Sequence, residues 1–275
     1  MNQFDYSPPV SQLLTQGDCR HKLDWPNYLT LGLKTEHIPE LIRMALDETL
    51  HQSPSDSLQV WAPIHAWRAL GQLRAADAVV PLCQLFALID ERHDDWVAED
   101  LPLALAMIGP SALPFLANYI ADRSHGLWAR AAAIKSIKEI GGQHPDTRLE
   151  CINILSNQLA QFAHDESSFN AFVISRLLDL GAVEAAPMIE QAFTANAVDL
   201  TIVGDWEDAQ IELGLLQNRR TIRPRFNLFD NIFSPPKNTQ TNNPHKPQQQ
   251  QLPLKRQGKQ ASRLRKKRNN KRRKR

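Results

Sequence analysis

His65-Ala66-Trp67-Arg68-Ala69-Leu70-Gly71, a short polar link, then Asp77-Ala78-Val79-Val80-Pro81-Leu82: the fold is decided by how this stretch is read. Glycine just past a helix takes a left-handed conformation at little steric cost, so Gly71 reads as an end. Proline lacks the N–H that a first helical turn leaves unpaired, so Pro81 reads as a start. The same punctuation returns along the chain. Ala69-Leu70-Gly71, Met107-Ile108-Gly109, Glu139-Ile140-Gly141 and Asp179-Leu180-Gly181 place their glycines 38, 32 and 40 residues apart. Pro39, Pro81, Pro114, Pro145 and Pro187 are spaced by 42, 33, 31 and 42. Two marks with different physics share one period, which predicts repeated helix–turn–helix units.

Apolar spacing agrees. Ile38, Leu41, Ile42 and Ala45 fall at i, i+3, i+4 and i+7, as do Leu82, Leu85, Phe86 and Ile89, and Leu113, Leu116, Ala117 and Ile120. Ala133, Ile134, Ile137 and Ile140 line one helical face, and Ile152, Leu155, Leu159 and Phe162 another. No alternating run rich in β-branched residues suggests a strand. The fold expected is all-α. Helix pairs of this period cannot bury their apolar faces alone, so they are expected to stack into a right-handed α-solenoid of about five helical hairpins. The units fall at about 36–51, 57–90, 95–122, 125–162 and 168–195. Residues 4–33 are expected to cap the first unit and residues 196–218 the last.

The segment from His65 to Leu82, with the alanine-rich Ala133-Ile134-Lys135-Ser136-Ile137, resembles HEAT repeats, most of all the phycobilisome-lyase HEAT-like type. Residues 6–218 as a whole resemble uncharacterised bacterial HEAT-repeat proteins, some with a Lys/Arg-rich tail. The resemblance implies a protein-interaction scaffold; its alternative implication is a bilin lyase-like enzyme or bilin chaperone. Arg148-Leu149-Glu150-Cys151 departs from the small residues usual at that point of the repeat.

Charge divides the chain. Residues 1–218 hold 29 Asp/Glu against 13 Lys/Arg, a net of −16, and residues 219–275 hold Asp230 alone against 19 Lys/Arg, a net of +18. The second piece carries only 10 hydrophobic side chains in 57 residues, too few to offset ordering entropy. An acidic folded body and a disordered basic tail are expected. No run of 18 apolar residues predicts a membrane span. The start lacks a basic segment followed by an apolar core, so no secretory signal is read there. Cys19, Cys83 and Cys151 are odd in number and far apart, which suits a reducing compartment, and a cytoplasmic location is expected.

Candidate chemistry is sparse. Cys83 and Cys151 sit in apolar stripes and read as small buried hydrophobes. Cys19 with His21 has no second ligand pair, so no metal is expected there. Glu91, Asp95 and Glu99 recur at i, i+4 and i+8, but a cap and first turn of acids explain Asp94 and Asp95 better than a cation. Trp61, Trp67 and Trp128 are expected in the core, and His65 beside them reads as a hydrogen-bonded core residue. Trp96 and Trp206, flanked by Glu91, Asp95 and Glu99 and by Asp205 and Glu207, are the candidate protein-binding anchors. No phosphate loop, nucleophile elbow or metalloprotease motif occurs. No catalytic residue and no cofactor is assigned.

In the tail, Arg219-Arg220-Thr221-Ile222-Arg223-Pro224-Arg225 opens a basic cluster, followed by the aromatic segment Phe226 to Phe233 and a Pro/Gln/Asn-rich linker. From Lys255 to Arg275, 13 of 21 residues are cationic and none is acidic: Lys255, Arg256, Lys259, Arg263, Arg265, Lys266, Lys267, Arg268, Lys271, Arg272, Arg273, Lys274 and Arg275. Such a run, without interleaved aromatics, predicts sequence-blind contact with RNA or another polyanion. The expected partners are therefore a protein on the concave face and nucleic acid or another polyanion on the tail, with no membrane. The tail is expected either to close on its own acidic body at low salt or to hang free.

Overall fold

A computed structural model describes residues 5–20 and 25–223. Among them there is no strand, and no single helix is long and apolar enough to cross a membrane. The helices are α1 (Ile38–Ala45), α2 (Glu48–His51), α3 (Ala62–Gln72), α4 (Val79–Gln84), α5 (Ala87–Arg92), α6 (Asp95–Glu99), α7 (Leu101–Ile108), α8 (Leu113–Ala121), α9 (Leu127–Gln143), α10 (Arg148–Leu159), α11 (Ser167–Asp179), α12 (Ala186–Thr194), α13 (Leu200–Val203) and α14 (Trp206–Glu212). Short 3-10 turns open several of them.

They pack in two rows. In one, α1 meets α3, α3 meets α7, α7 meets α9, α9 meets α11 and α11 meets α13. In the other, α8 meets α10, α10 meets α12 and α12 meets α14, while α10 also seats on α9 and α11. The burial follows this order. Ala62 to Gly71 are all buried because α3 is covered by α1, α7 and the N-terminal segment together. Ile134, Ile137 and Ile140 of α9 are fully buried, as the apolar stripe requires.

The proline marks behave as expected. Pro39, Pro114 and Pro187 lie in the first turns of α1, α8 and α12, and Pro145 opens the turn that leads into α10. The glycines divide. Gly109 and Gly181 have φ of +95° and +59° and do end their helices. Gly71 and Gly141 instead lie inside the last turns of α3 and α9, and their task is close approach. A Cβ on Gly71 would stand 3.0 Å from the Ala104 carbonyl oxygen, and one on Gly141 would stand 3.2 Å from Cys151 Cβ. Period alone does not separate a glycine that turns the chain from one that lets two helices touch.

Two expected helices are broken. The Leu82–Ile89 stripe is interrupted at Leu85 and Phe86, whose amides donate three residues back, to Leu82 O at 3.0 Å and Cys83 O at 3.2 Å. Phe86 is thereby fully buried, edge-on to Tyr119 with ring centroids 5.6 Å apart. The first helix of the unit expected at 95–122 is interrupted at Asp100, between α6 and α7, where Pro102 removes a donor from the ladder.

Candidate functional site

At the N-terminal end, Arg68 of α3 is a buried cation. Its Nε donates to Asp100 Oδ1 at 3.0 Å and its Nη2 to Asp100 Oδ2 at 2.5 Å, while Trp67 Nε1 donates to the same Oδ1 at 2.7 Å. The Trp25 ring lies under the guanidinium at 4.8 Å and the Trp96 ring at 6.0 Å. Trp96 meets Trp61 edge-to-face at 5.3 Å. Two tryptophan rings and one carboxylate thus hold one arginine, with Trp67 bound to the same carboxylate and Trp61 packed on Trp96. Trp96 is half-buried in this cluster rather than standing free among its acids.

His65, one turn earlier on α3, is fully buried and hydrogen-bonded, as the sequence suggests. Its Nε2 donates to Gly17 O at 2.8 Å, a tautomer assigned from its partners, which leaves Nδ1 to accept the Tyr28 hydroxyl at 2.7 Å. Burial pushes the Tyr28 hydroxyl far up, so it remains a donor. Cys19 is also buried, with its Sγ 3.5 Å from His65 Nε2. His21 lies outside the described residues. Together these bonds fasten the N-terminal segment to α3. Cys83 and Cys151 are buried free thiols, and burial raises both, Cys151 to about 11. A thiol so held is a packing group at neutral pH.

Glu91, Asp95 and Glu99 divide between two elements. Glu91 ends up exposed on α5, while Asp95 and Glu99 belong to α6, whose N-cap is Asp94 accepting Val97 N–H at 3.0 Å. Glu99 pairs with Lys135 of α9. Among the described residues no group of three or more His, Cys, Asp or Glu is placed to hold a metal ion.

Trp128 corrects the expectation of a core residue. It is 52% exposed at the first turn of α9, with its ring 5.5 Å from Phe172 of α11. Its position at the open end of the helix, one residue after Leu127, turns the side chain outward. Sequence spacing gave no signal for this, since the residue sits beside the alanine-rich face and not in it.

Near the C-terminal end of the described residues several charged groups meet. Gly204 (φ +76°) closes α13, and a Cβ there would stand 2.5 Å from Asp208 Oδ2, so only glycine fits. Asp205 then caps α14: its Oδ1 accepts Asp208 N–H at 3.1 Å while Asp208 Oδ2 accepts Asp205 N–H at 3.2 Å. Glu207 and Asp208 in the first turn complement the helix dipole. Trp206 packs inward, its ring 6.1 Å from Phe193 of α12. Arg219 returns to this corner. Its Nη1 donates to Asp205 Oδ1 at 2.8 Å and stands 2.7 Å from Asp208 Oδ1, and its Nη2 donates to Asp205 Oδ2 at 2.5 Å. Arg223 Nη2 reaches Asp208 Oδ1 at 2.5 Å. Glu207 Oε2 accepts the backbone N–H of Arg220 and of Thr221 at 3.1 Å, and the Thr221 hydroxyl at 3.0 Å.

Electrostatics follow. The Arg219 guanidinium holds Asp205 below the usual carboxylate range, and the Thr221 amide, with Arg220 and the Thr221 hydroxyl, does so for Glu207. Burial pushes Asp208 up, but hydrogen bonds from Arg223, the Asp205 amide and Arg219 outweigh it and bring it down. Arg219 is raised by the same contacts. Residues 219–223, which the charge count assigns to the tail, thus lie on α14, and beside them a groove of about 510 Å³ is lined by Leu200, Val203, Ile211, Arg219 and Arg223. The cations from Lys255 to Arg275 lie outside the described residues.

From Leu31 to Phe233 the sequence matches the family described as protein of unknown function (DUF1186). The chain belongs to the DUF1186 family. No curated protein and no solved structure matches it significantly. The DUF1186 match takes in both helix rows from α1 onward and the Arg219–Arg223 return, and it ends before the cationic run that begins at Lys255.

Proposed function

We propose that this DUF1186 chain is a non-catalytic protein-interaction scaffold, a HEAT-like α-solenoid whose basic C-terminus contacts RNA or a similar polyanion. The observation that carries the scaffold reading is the succession α1–α3–α7–α9–α11, each helix packed on the next with a second row behind it. Stacks of that kind are stabilised by neighbour interfaces and present extended faces to partners. Trp128, exposed beside Phe172, is the residue on such a face best suited to anchor a protein, because tryptophan offers large rigid contact area. The polyanion reading rests on the 13 Lys/Arg between Lys255 and Arg275, free of acids.

Binding of labelled poly(U) by the full chain and by a chain lacking residues 255–275 tests it. The full chain is expected to bind with affinity that falls steeply with salt, at about 0.7 in log–log slope per phosphate neutralised, and the shortened chain to lose most of that binding. Equal binding by scrambled RNA and DNA sequences is expected. Affinity insensitive to salt would remove the polyanion reading, and a bound visible chromophore would turn the assignment toward a bilin protein.

A further inference from the structure

We infer that residues 219–223 are an electrostatic latch, which holds the root of the basic segment on α14 and withholds Arg219 and Arg223 from polyanions. The inference rests on the polyanion reading above and adds a regulation to it.

Each residue of the return has a separate task. Arg219 is enclosed by Asp205, Glu207 and Asp208, its side chain only 18% exposed and theirs 14–18%. Both terminal nitrogens of its fork are used, so little donor capacity remains for a phosphate. Arg223 shares the Asp208 carboxylate from the outside, with its side chain 68% exposed. Arg220 differs from both: its backbone N–H is bound to Glu207 while its side chain is exposed. Among the described residues the first basic cluster is therefore split into an enclosed cation, Arg219, a cation paired at the rim, Arg223, and an outward one, Arg220.

A single exposed ion pair contributes little, but this is a network in which three carboxylates meet two guanidiniums, two amides and a hydroxyl. It is closed from both sides, by side chains onto Asp205 and Asp208 and by backbone onto Glu207. A phosphate that draws off Arg219 leaves three carboxylates facing one another around the α14 cap. Polyanion binding at this cluster must therefore compete with the body's own acids. Release adds two cations to the available set, and for a single-stranded nucleic acid that steepens the salt slope by about 1.4.

The test uses the full chain and two latch variants. Asp205→Asn with Asp208→Asn weakens the acidic side while keeping a good N-cap residue, and Arg219→Gln with Arg223→Gln weakens the basic side with the cap intact. Asp56→Asn with Asp77→Asn, at two exposed acids elsewhere, is the control for net charge. Limited trypsin with mass spectrometry reads cleavage after Arg220, a bond flanked by two amides pinned on Glu207. Both latch variants are expected to be cut there about tenfold faster than wild type, since cleavage follows the open population. On immobilised heparin, the Asp205/Asp208 variant is expected to elute at higher salt than the Asp56/Asp77 control.

Wild-type cleavage after Arg220 as fast as in both variants, or heparin elution identical to the control, overturns the latch. Protection and a heparin shift without any poly(U) binding uphold the latch and overturn the RNA reading instead.

Discussion

Asp90 of α5 caps α9 through the backbone of Trp128: its Oδ1 accepts the Trp128 N–H at 3.1 Å, and its Oδ2 accepts the Ala129 N–H at 2.9 Å. The residue at the N-cap position itself is Gly126, which has no side chain to offer. A Cβ there would stand 2.3 Å from the Asp90 carboxyl group, so the glycine makes room for a cap supplied from 38 residues away. Asp90→Ala is expected to cost about 1–2 kcal/mol, the ordinary range for a cap that also complements the dipole. Urea denaturation followed by circular dichroism measures it. A loss under about 0.5 kcal/mol would mean that water replaces the carboxylate without cost.

The Arg68–Asp100 pair predicts an asymmetry. Asp100→Ala leaves a buried guanidinium without its carboxylate and is expected to cost about 3–5 kcal/mol. Arg68→Met combined with Asp100→Leu removes both charges and is expected to cost clearly less. A double-mutant cycle in urea gives both numbers. If the double variant is as unstable as Asp100→Ala, packing of the tryptophans around Arg68, and not charge, dominates this corner.

Glycine substitutions should distinguish the two roles of the repeat glycines. Gly109→Val places a β-branched residue at φ +95° and sets its Cβ 3.1 Å from the His144 ring, which itself bonds Ala106 O at 2.9 Å. A loss of about 2 kcal/mol or more is expected from the backbone conformation alone. Gly71→Ala should also destabilise, although alanine is the better helix former by about 1 kcal/mol, because the obstacle is the Ala104 backbone and cannot swing aside. Thermal melts that show Gly71→Ala stabilised would contradict the close helix contact.

Acid should loosen the C-terminal return before it unfolds the body. Asp205, Glu207 and Asp208 all titrate below their ordinary values in the folded chain. A lowered folded pKa gives stability that is present above the unfolded value and is lost as pH falls through the folded one. The contact is therefore expected to be intact at pH 7 and to weaken below about pH 4. Trp206, which caps the same corner, gives a fluorescence signal for it. A pH-independent Trp206 signal down to pH 3, taken as the difference between the chain and its Trp206→Phe variant, would count against the ion network.

Much of the fold is legible in the sequence because its signals are local. The stripe Ile38, Leu41, Ile42, Ala45 and the first-turn prolines each report a conformation set within one helical turn, and the structure places helices there. The candidate site was legible only in its parts list. Asp205 and Glu207 stand out in the sequence as acids around Trp206, yet nothing local says that Arg219 returns to them or that Trp206 faces Phe193. Trp96 reads as an anchor by its neighbours in sequence, whereas its neighbours in space are Trp61 and Arg68.

By itself the sequence determined that the described chain is helical, where most helices begin, and that its charges are segregated, since capping, proline geometry and composition act over a few residues. Tertiary structure decided what each marked residue is for. Gly109 turns the chain while Gly71 admits a neighbouring helix, Trp67 is buried while Trp128 is exposed, and Arg68 is a core residue while Arg220 faces solvent. The physical reason is that burial and ion pairing depend on which surface arrives opposite. In this chain the partners arrive from 14 to 38 residues away: Asp100 for Arg68, Asp90 for the amide of Trp128, Asp205 for Arg219.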